Sequence, residues 1–261
     1  MKKREKIDLI IILIYPIIAS LLSFLIKANF FTSTLIFFGI PALYLSIKYK
    51  KYIKKIALFS LILGVPFAIF IDYIMSITGG WSIPYSIFDP FRLFNLVSID
   101  GLIWTFLYIY FITIFYEVFL DKKSKPKLYK PNLKYLAIIS IILFGTFFLI
   151  YLAQPSLLQI NFFYLKVGLA LGLLPILLVL FRFPKLYGKF FKAGAYFFFL
   201  TFTYEITALL LNQWTFPNNS QFIGFINILG ITFPLEELVF WMILGAIAML
   251  SYFEFFDDDK K

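Results

Sequence analysis

Two adjacent glutamates, Glu236 and Glu237, lie within a long apolar stretch near the C-terminus, GITFPLEELVFWMILGAIAMLSY (Gly230–Tyr252). A charged group at hydrocarbon depth costs at least ~2.5 kcal/mol on insertion scales, so acids in such a stretch are functional candidates. Two further acids, Asp72 and Glu205, occur in other apolar stretches. A protonated carboxyl group can give a proton to an alkene, and a neighbouring carboxylate can remove one. The four acids therefore favour acid–base chemistry on an apolar substrate.

Composition excludes several other kinds of chemistry. The chain has no cysteine and no histidine, which excludes disulfides, thiol nucleophiles, histidine-based triads and histidine-ligated metals. It also has no glycine-rich fingerprint for binding the phosphates of a nucleotide. We therefore expect no metal ion and no cofactor.

The elements that must position these acids are membrane-spanning helices. The 261 residues are 62% hydrophobic and 15% charged, with a mean hydropathy of +0.91, whereas a soluble domain has about a quarter charged residues. Eight apolar segments approach the roughly 20 residues that a spanning helix needs. They cover residues 7–26, 30–48, 55–77, 101–120, 134–153, 159–181, 190–212 and 232–252. The sequence thus predicts an all-α integral membrane protein with about eight transmembrane helices.

The lysines and arginines predict how these helices are oriented. They are concentrated at the N-terminus and in the second, fourth and sixth connections, while the odd-numbered connections hold few. By the positive-inside rule, both termini are cytoplasmic in a multi-pass protein of the cell membrane. The net charge of +10 is then explained by orientation and by contact with anionic lipid, so we expect no nucleic-acid partner. Glu117 and Glu254 would lie at cytoplasmic helix ends as solvated residues.

The two halves of the chain resemble each other. Asp72 precedes Trp81 by the same nine residues that separate Glu205 from Trp214. Further matches join Asn29-Phe-Phe to Asn161-Phe-Phe, Pro84 to Pro217, and YEVFLDKK (116–123) to YFEFFDDDKK (252–261). We predict two tandem four-helix units, 1–125 and 126–261, related by a parallel pseudo-twofold axis along the membrane normal. The alternative is chance similarity between apolar segments.

Each candidate residue also has a purely structural interpretation. Asp72 and Glu205 could form interhelical hydrogen bonds that fix packing. Glu236 and Glu237 could complement a helix N-terminus that begins with Pro234. Because adjacent helical residues point about 100° apart, we expect one glutamate to face a site and the other to support it. Lys166 is either a counter-ion to these acids or a side chain that reaches the outer headgroups.

The stretch PLEELVFW (Pro234–Trp241) resembles a motif of a known family. Its Pro-x-Glu-Glu-x-x-Phe pattern at the head of a span is similar to that of the lycopene cyclase domain family, the heterodimeric or fused-type carotenoid cyclases of archaea and bacteria. Glu205 with Trp214, Phe216 and Pro217 is similar as well. The first half has no such motif and offers only Asp100. One active centre, with the first unit completing its walls, is therefore expected.

The resemblance implies cyclisation of the ψ end groups of lycopene to β rings, without a cofactor. It makes Glu236 and Glu237 the leading catalytic candidates, with Glu205 and Asp72 supporting them. The expected partners are a lipophilic polyene such as lycopene or a related carotenoid, membrane lipid, and other enzymes of the carotenoid pathway. The candidate substrate-binding residues are Trp81, Lys166, Tyr204, Trp214, Phe240 and Trp241.

Three alternatives to a lycopene cyclase remain open. The first is another isoprenoid-modifying membrane enzyme, such as a hydratase or an isomerase. The second is a small cation- or proton-coupled transporter, whose outer carboxylates would bind the transported ion. The third is a non-catalytic scaffold or carotenoid-binding protein.

Overall fold

The chain folds into a bundle of membrane-length helices in the computed structural model, which describes residues 3–121 and 133–257. The helices are α1 (Lys3–Leu25), α2 (Phe30–Lys48), α3 (Lys50–Thr78), α4 (Ile99–Leu120), α5 (Leu133–Ala153), α6 (Phe163–Arg182), α7 (Pro184–Leu210) and α8 (Glu237–Ile243 followed by Gly245–Asp257). Seven are long and apolar enough to cross a membrane, and the two parts of α8 form an eighth that is bent by 46°. The predicted all-α membrane class is confirmed.

The last span begins later than the sequence predicts. Residues Ile231–Pro234 form strand β4, which pairs antiparallel with β3 (Phe225–Ile228) before α8 starts. Leu229 and Gly230 both have positive φ angles, 55° and 81°, as a two-residue hairpin turn of type I′ requires. Pro234 therefore ends a strand instead of occupying the first helical turn. A shorter hairpin, β1 (Arg92–Leu93) with β2 (Val97–Ser98), precedes α4 in the same way.

Burial separates central helices from peripheral ones. In the apolar stretch of α4, 67% of the residues are buried inside the protein, compared with 17% in α5 and 28% in α1. The exposed faces of α1 and α5 carry isoleucine, leucine and phenylalanine, which is expected where the solvent is lipid. The candidate acids must therefore be positioned by the inner helices.

Each even-numbered helix contains a π-helical segment. In α2 and α6 these segments are Leu35–Gly39 and Gly168–Leu173, and each is followed by a proline, Pro41 or Pro175. A proline lacks the backbone N–H that the regular ladder needs, and a π turn is one way to accommodate the break. In α4 and α8 the segments are Tyr116–Leu120 and Glu237–Ile243, and the second of these carries a candidate glutamate.

The two halves show parallel features that support the predicted repeat. Ser82 and Thr215, one residue after Trp81 and Trp214, exchange two backbone hydrogen bonds of 2.9 Å with each other. Such a reciprocal contact is what a two-fold axis produces between equivalent residues. The predicted unit boundary at 125/126 and the ends of the 116–123 and 252–261 match lie outside the described residues. The repeat itself stays a prediction.

Glu117 and Glu254 are not solvated as predicted. Their side chains are 0% and 4% exposed, because α4 and α8 pack together where their predicted cytoplasmic ends meet α3. Lys55 donates a hydrogen bond to Glu117, and Tyr116 donates one to Glu254. The buried acids therefore have partners that connect helices.

Candidate functional site

The candidate site is a pair of adjoining cavities enclosed by inner helices. A main cavity of about 180 Å³ lies between α3, α4, α6 and α8, and a minor cavity of about 60 Å³ adjoins it. Five side chains line both: Asp72, Trp81, Trp104, Glu237 and Trp241. The remaining walls of the main cavity are almost entirely apolar. One acid from each predicted unit therefore faces a shared, largely apolar space.

Two acid–tryptophan pairs follow the nine-residue spacing in the sequence. The indole of Trp214 donates a hydrogen bond of 3.2 Å from Nε1 to Oε1 of Glu205. The indole of Trp81 lies beside Asp72, and both residues line both cavities. In each case the acid lies near the C-terminal end of a long helix, and the loop that follows brings the tryptophan back to it. The two pairs differ in placement, because Asp72 lines both cavities whereas Glu205 is fully buried and lines neither.

Glu237 is the glutamate that faces the cavities. Tyr164 on α6 lies beside its carboxyl group, and both residues line the main cavity. Oε2 of Glu237 has no hydrogen-bond partner among the described residues. The hydroxyl of Tyr108 and the indole Nε1 of Trp241 also lack partners in the described part of the chain, and both residues line the main cavity. Buried polar groups normally have partners, so these three atoms are suited to meet a bound ligand.

Glu236 has a supporting position. Its Oε1 accepts a hydrogen bond of 2.7 Å from the backbone N–H of Ile223, in the segment before β3, and it lines neither cavity. Asp100 makes the matching contact in the first half, where its Oδ2 accepts a bond of 3.1 Å from the N–H of Ile87. Each of these carboxyl groups thus binds the backbone thirteen residues upstream to the N-terminal end of a helix. This arrangement agrees with the expectation that one glutamate faces the site and its neighbour supports it.

The residue after Asp100 explains why the acid pair is not duplicated. Gly101 stands where the second half has Glu237. A Cβ at Gly101 would lie 2.7 Å from Oδ2 of Asp72, a separation that real Cβ atoms essentially never show. The absence of a side chain here thus leaves room for the carboxyl group of Asp72.

The aromatic candidates surround the acids. Trp241 and Phe240 line the main cavity, and Trp214 lines the minor one. Tyr204 lies behind this wall, with its ring 5.2 Å from Trp214 and 6.1 Å from Trp241, and its hydroxyl 3.2 Å from Oγ1 of Thr34. Tyr204 therefore packs behind the cavity wall and does not line the cavity itself. All four tryptophans of the chain line at least one of the two cavities.

Lys166 is not brought to the acids. It is exposed on the surface of α6, whereas Tyr164 and Gly168 on the same helix are buried and line the main cavity. The side chain thus lies on the opposite side of α6 from the cavity. This position matches the interpretation in which the lysine extends along the protein surface, and it removes Lys166 from the substrate-binding candidates.

Sequence reasoning missed Trp104, Tyr108 and Tyr164. Trp104 and Tyr108 are stacked, with ring centroids 5.5 Å apart and an angle of 3° between the planes. Their i, i+4 spacing after Asp100 places all three on one face of α4, and this pattern was available in the sequence. Tyr164 follows the repeated Asn-Phe-Phe motif by one residue, but its contact with Glu237 depends on how α6 packs against α8.

A metal centre is not indicated at this site. Within residues 3–121 and 133–257, no group of three or more acidic, cysteine or histidine side chains is arranged to hold an ion. Carboxyl groups in an aromatic cavity are suited to moving protons on an apolar ligand. Comparison with protein-family models, with curated proteins and with solved structures finds no match to this chain.

Proposed function

We propose that this protein is a membrane enzyme that cyclises an isoprenoid end group by proton addition and removal, with lycopene as the expected substrate. The observation that carries the proposal is the pair Asp72 and Glu237, which face one aromatic-lined cavity from the two predicted units. The Pro-x-Glu-Glu-x-x-Phe motif adds the resemblance to the lycopene cyclase domain family. In this proposal the acid pair is Asp72 with Glu237, and Glu236 is a positioning residue.

The proposed reaction is a balanced isomerisation. One carboxyl group, in its protonated form, adds a proton to the terminal double bond, whose electron pair becomes the new C–H bond. The resulting tertiary cation is attacked by a second double bond, which forms the carbon–carbon bond that closes the ring. The other carboxyl group, as a carboxylate, then removes a proton next to the new cation and leaves a ring double bond. No oxidant or reductant is consumed.

The aromatic walls are suited to the cationic intermediate. Trp81, Trp104 and Trp241 line both cavities, and the face of an indole attracts a cation through its quadrupole more strongly than other rings do. The lone pair of each indole nitrogen is delocalised into the ring, so it is a poor trap for the carbocation. The cavity therefore stabilises charge at the stage where the ring closes.

Cavity size matches one end group and not a whole carotenoid. An engineered cavity of about 150 Å³ lined by aliphatic and aromatic side chains binds benzene. The main cavity, at about 180 Å³, is large enough for a single six-membered ring by that comparison. A long polyene would therefore be processed one end at a time, with its remaining chain outside the cavity.

Expression in a lycopene-accumulating bacterium tests the proposal. The wild-type protein should convert lycopene to monocyclic or bicyclic carotenes, identified by chromatography and absorption spectra. Asp72→Asn and Glu237→Gln should abolish conversion, because each removes a proton-transfer group while keeping a similar shape. Unchanged lycopene with the wild-type protein verified in the membrane would contradict the proposed function. Full conversion by both variants would contradict the assignment of the acid pair.

A further inference from the structure

The wall of the main cavity is unevenly closed. Four helices surround it, and three of their seams are packed along the helices: α3 with α4, α4 with α8, and α8 with α6. The fourth seam, between α3 and α6, is packed mainly at the outer residues Phe163–Val167. Below that level α3 and α6 have few direct contacts with each other. Tyr252 of α8 bridges them there, with its ring 6.2 Å from that of Phe67 and its hydroxyl donating a hydrogen bond to the carbonyl oxygen of Leu171.

The residues along the loose seam line the cavity and are also partly exposed. On α3 these are Phe67 and Ile71, and on α6 they are Leu171 and Gly172. At a seam whose two helices have few direct contacts, partly exposed lining residues fit an opening in the wall. Because all four are apolar or lack a side chain, the opening suits hydrocarbon and not water.

Gly172 is the residue that leaves the space free. No heavy atom lies within 4 Å of the place that a Cβ at Gly172 would occupy. The neighbouring Gly168 is different, because a Cβ there would lie 2.3 Å from the ring of Phe240. Gly168 thus permits close packing of α6 against α8, whereas Gly172 contributes empty volume.

The first half has a bulky residue at the same distance before its own proline. Gly172 lies three residues before Pro175, and the residue three before Pro41 is Phe38. Phe38 is 0% exposed, and its ring packs edge-on against Trp104, Tyr108 and Tyr204 at centroid distances of 6.4, 5.8 and 4.9 Å. At this distance before a proline, a phenylalanine thus fills space in one half, whereas a glycine leaves it open in the other.

We infer that the main cavity opens sideways into the bilayer between α3 and α6, and that Gly172 keeps this opening wide enough for the linear part of an isoprenoid chain. The identity of that chain rests on the proposed function; the opening itself rests on the geometry of the seam. The end group would reach Asp72 and Glu237 from the hydrocarbon layer without crossing water, while the rest of the chain lies against Phe67, Leu171 and Gly172.

Intrinsic fluorescence tests the opening without relying on catalysis, because every tryptophan of the chain lines one of the two cavities. Purified protein is placed in bilayers whose acyl chains carry bromine, which quenches indoles on contact. Gly172→Phe should lower the quenched fraction relative to the wild type. Gly145→Phe is the matched control, because Gly145 is also an uncrowded glycine in a spanning helix, on α5. If Gly172→Phe does not insert, Gly172→Leu takes its place with the same expectation.

Lycopene conversion by the same variants separates the two claims. Conversion should fall about tenfold or more in Gly172→Phe and stay at the wild-type level in Gly145→Phe. Equal quenching in all three proteins would overturn the opening. Reduced quenching together with wild-type conversion in Gly172→Phe would overturn its use by the substrate. Reduced quenching in Gly172→Phe, with no lycopene conversion by any of the proteins, would support the opening and contradict the proposed function.

Discussion

At the scale of single residues, spacing predicts more of the site than residue type alone. The nine-residue separation of Asp72 from Trp81, repeated in Glu205 and Trp214, corresponds to an acid beside a tryptophan in both halves, and in the second half the two are hydrogen-bonded. The division of roles between Glu236 and Glu237 could not be derived in the same way. It depends on where β4 ends and α8 begins, because that boundary decides which carboxyl group turns inward.

The two adjacent glutamates should differ sharply in their effect on activity. Glu237→Gln removes a cavity-lining acid, and losing a general acid or base typically costs about 10²–10⁴-fold in rate. Glu236→Gln keeps an amide oxygen that can accept the N–H of Ile223, so its rate should stay within about tenfold of the wild type. Initial rates of pigment conversion in isolated membranes measure both. Equal losses would show that Glu236 takes part directly.

A methyl group at Gly101 should disturb the site. Gly101→Ala places Cβ against Oδ2 of Asp72 at 2.7 Å, so the carboxyl group must move and conversion should fall. Gly188→Ala is the control, since Gly188 also lies near the start of a spanning helix but has nothing within 4 Å of its Cβ position. The same rate assay compares them, with melting temperatures to monitor folding. Wild-type activity in Gly101→Ala would indicate that the position of Asp72 is not critical.

At the scale of elements, hydropathy and charge predict the helices but not their irregularities. The existence of the spans follows from apolar runs of sufficient length. The two hairpins, the π segments and the bend in α8 were missed, because they depend on local turn geometry such as the positive φ angles of Leu229 and Gly230. The buried state of Glu117 was missed for another reason. Its partner Lys55 lies on a different helix, and only packing brings the two together.

The contact between Lys55 and Glu117 should connect α3 and α4 strongly. Removing one member of a buried ion pair typically costs about 3–5 kcal/mol, because the other charge stays in a poorly solvated place. Lys55→Met should therefore lower the melting temperature of the purified protein clearly, whereas Lys51→Met, at an exposed lysine, should change it little. Adding Glu117→Gln to Lys55→Met should restore part of the loss. A double variant as unstable as Lys55→Met would contradict this electrostatic explanation.

At the scale of the whole molecule, composition is enough to predict a multi-pass membrane protein, but not a site shared between halves. Asp72 and Glu237 come from different predicted units. They line the same cavity only because α3 and α8 both border it. Likewise, Phe38 and Gly172 differ as residue types in the sequence, yet only packing shows that one fills space and the other leaves it open. The predicted orientation is a further property of the whole chain, and it can be tested directly.

The absence of native cysteines makes the topology test simple. Tyr85→Cys, in the connection between α3 and α4, should react from outside intact cells with a thiol reagent that cannot cross the membrane, since Tyr85 is 79% exposed. Lys51→Cys, in the first turn of α3, should react only after the cells are opened. The reverse labelling pattern would invert the predicted orientation and place the candidate acids near the cytoplasmic side.

The central claim is that Asp72 and Glu237 together cyclise an isoprenoid end group. The most direct test is the conversion of lycopene by purified protein in liposomes, with the wild type, Asp72→Asn and Glu237→Gln compared at equal amounts of folded protein. The wild type should form ring-containing carotenes without any added cofactor, and either variant should form essentially none. Wild-type protein that leaves lycopene unchanged, or variants that cyclise it at the wild-type rate, would contradict the roles proposed for Asp72 and Glu237.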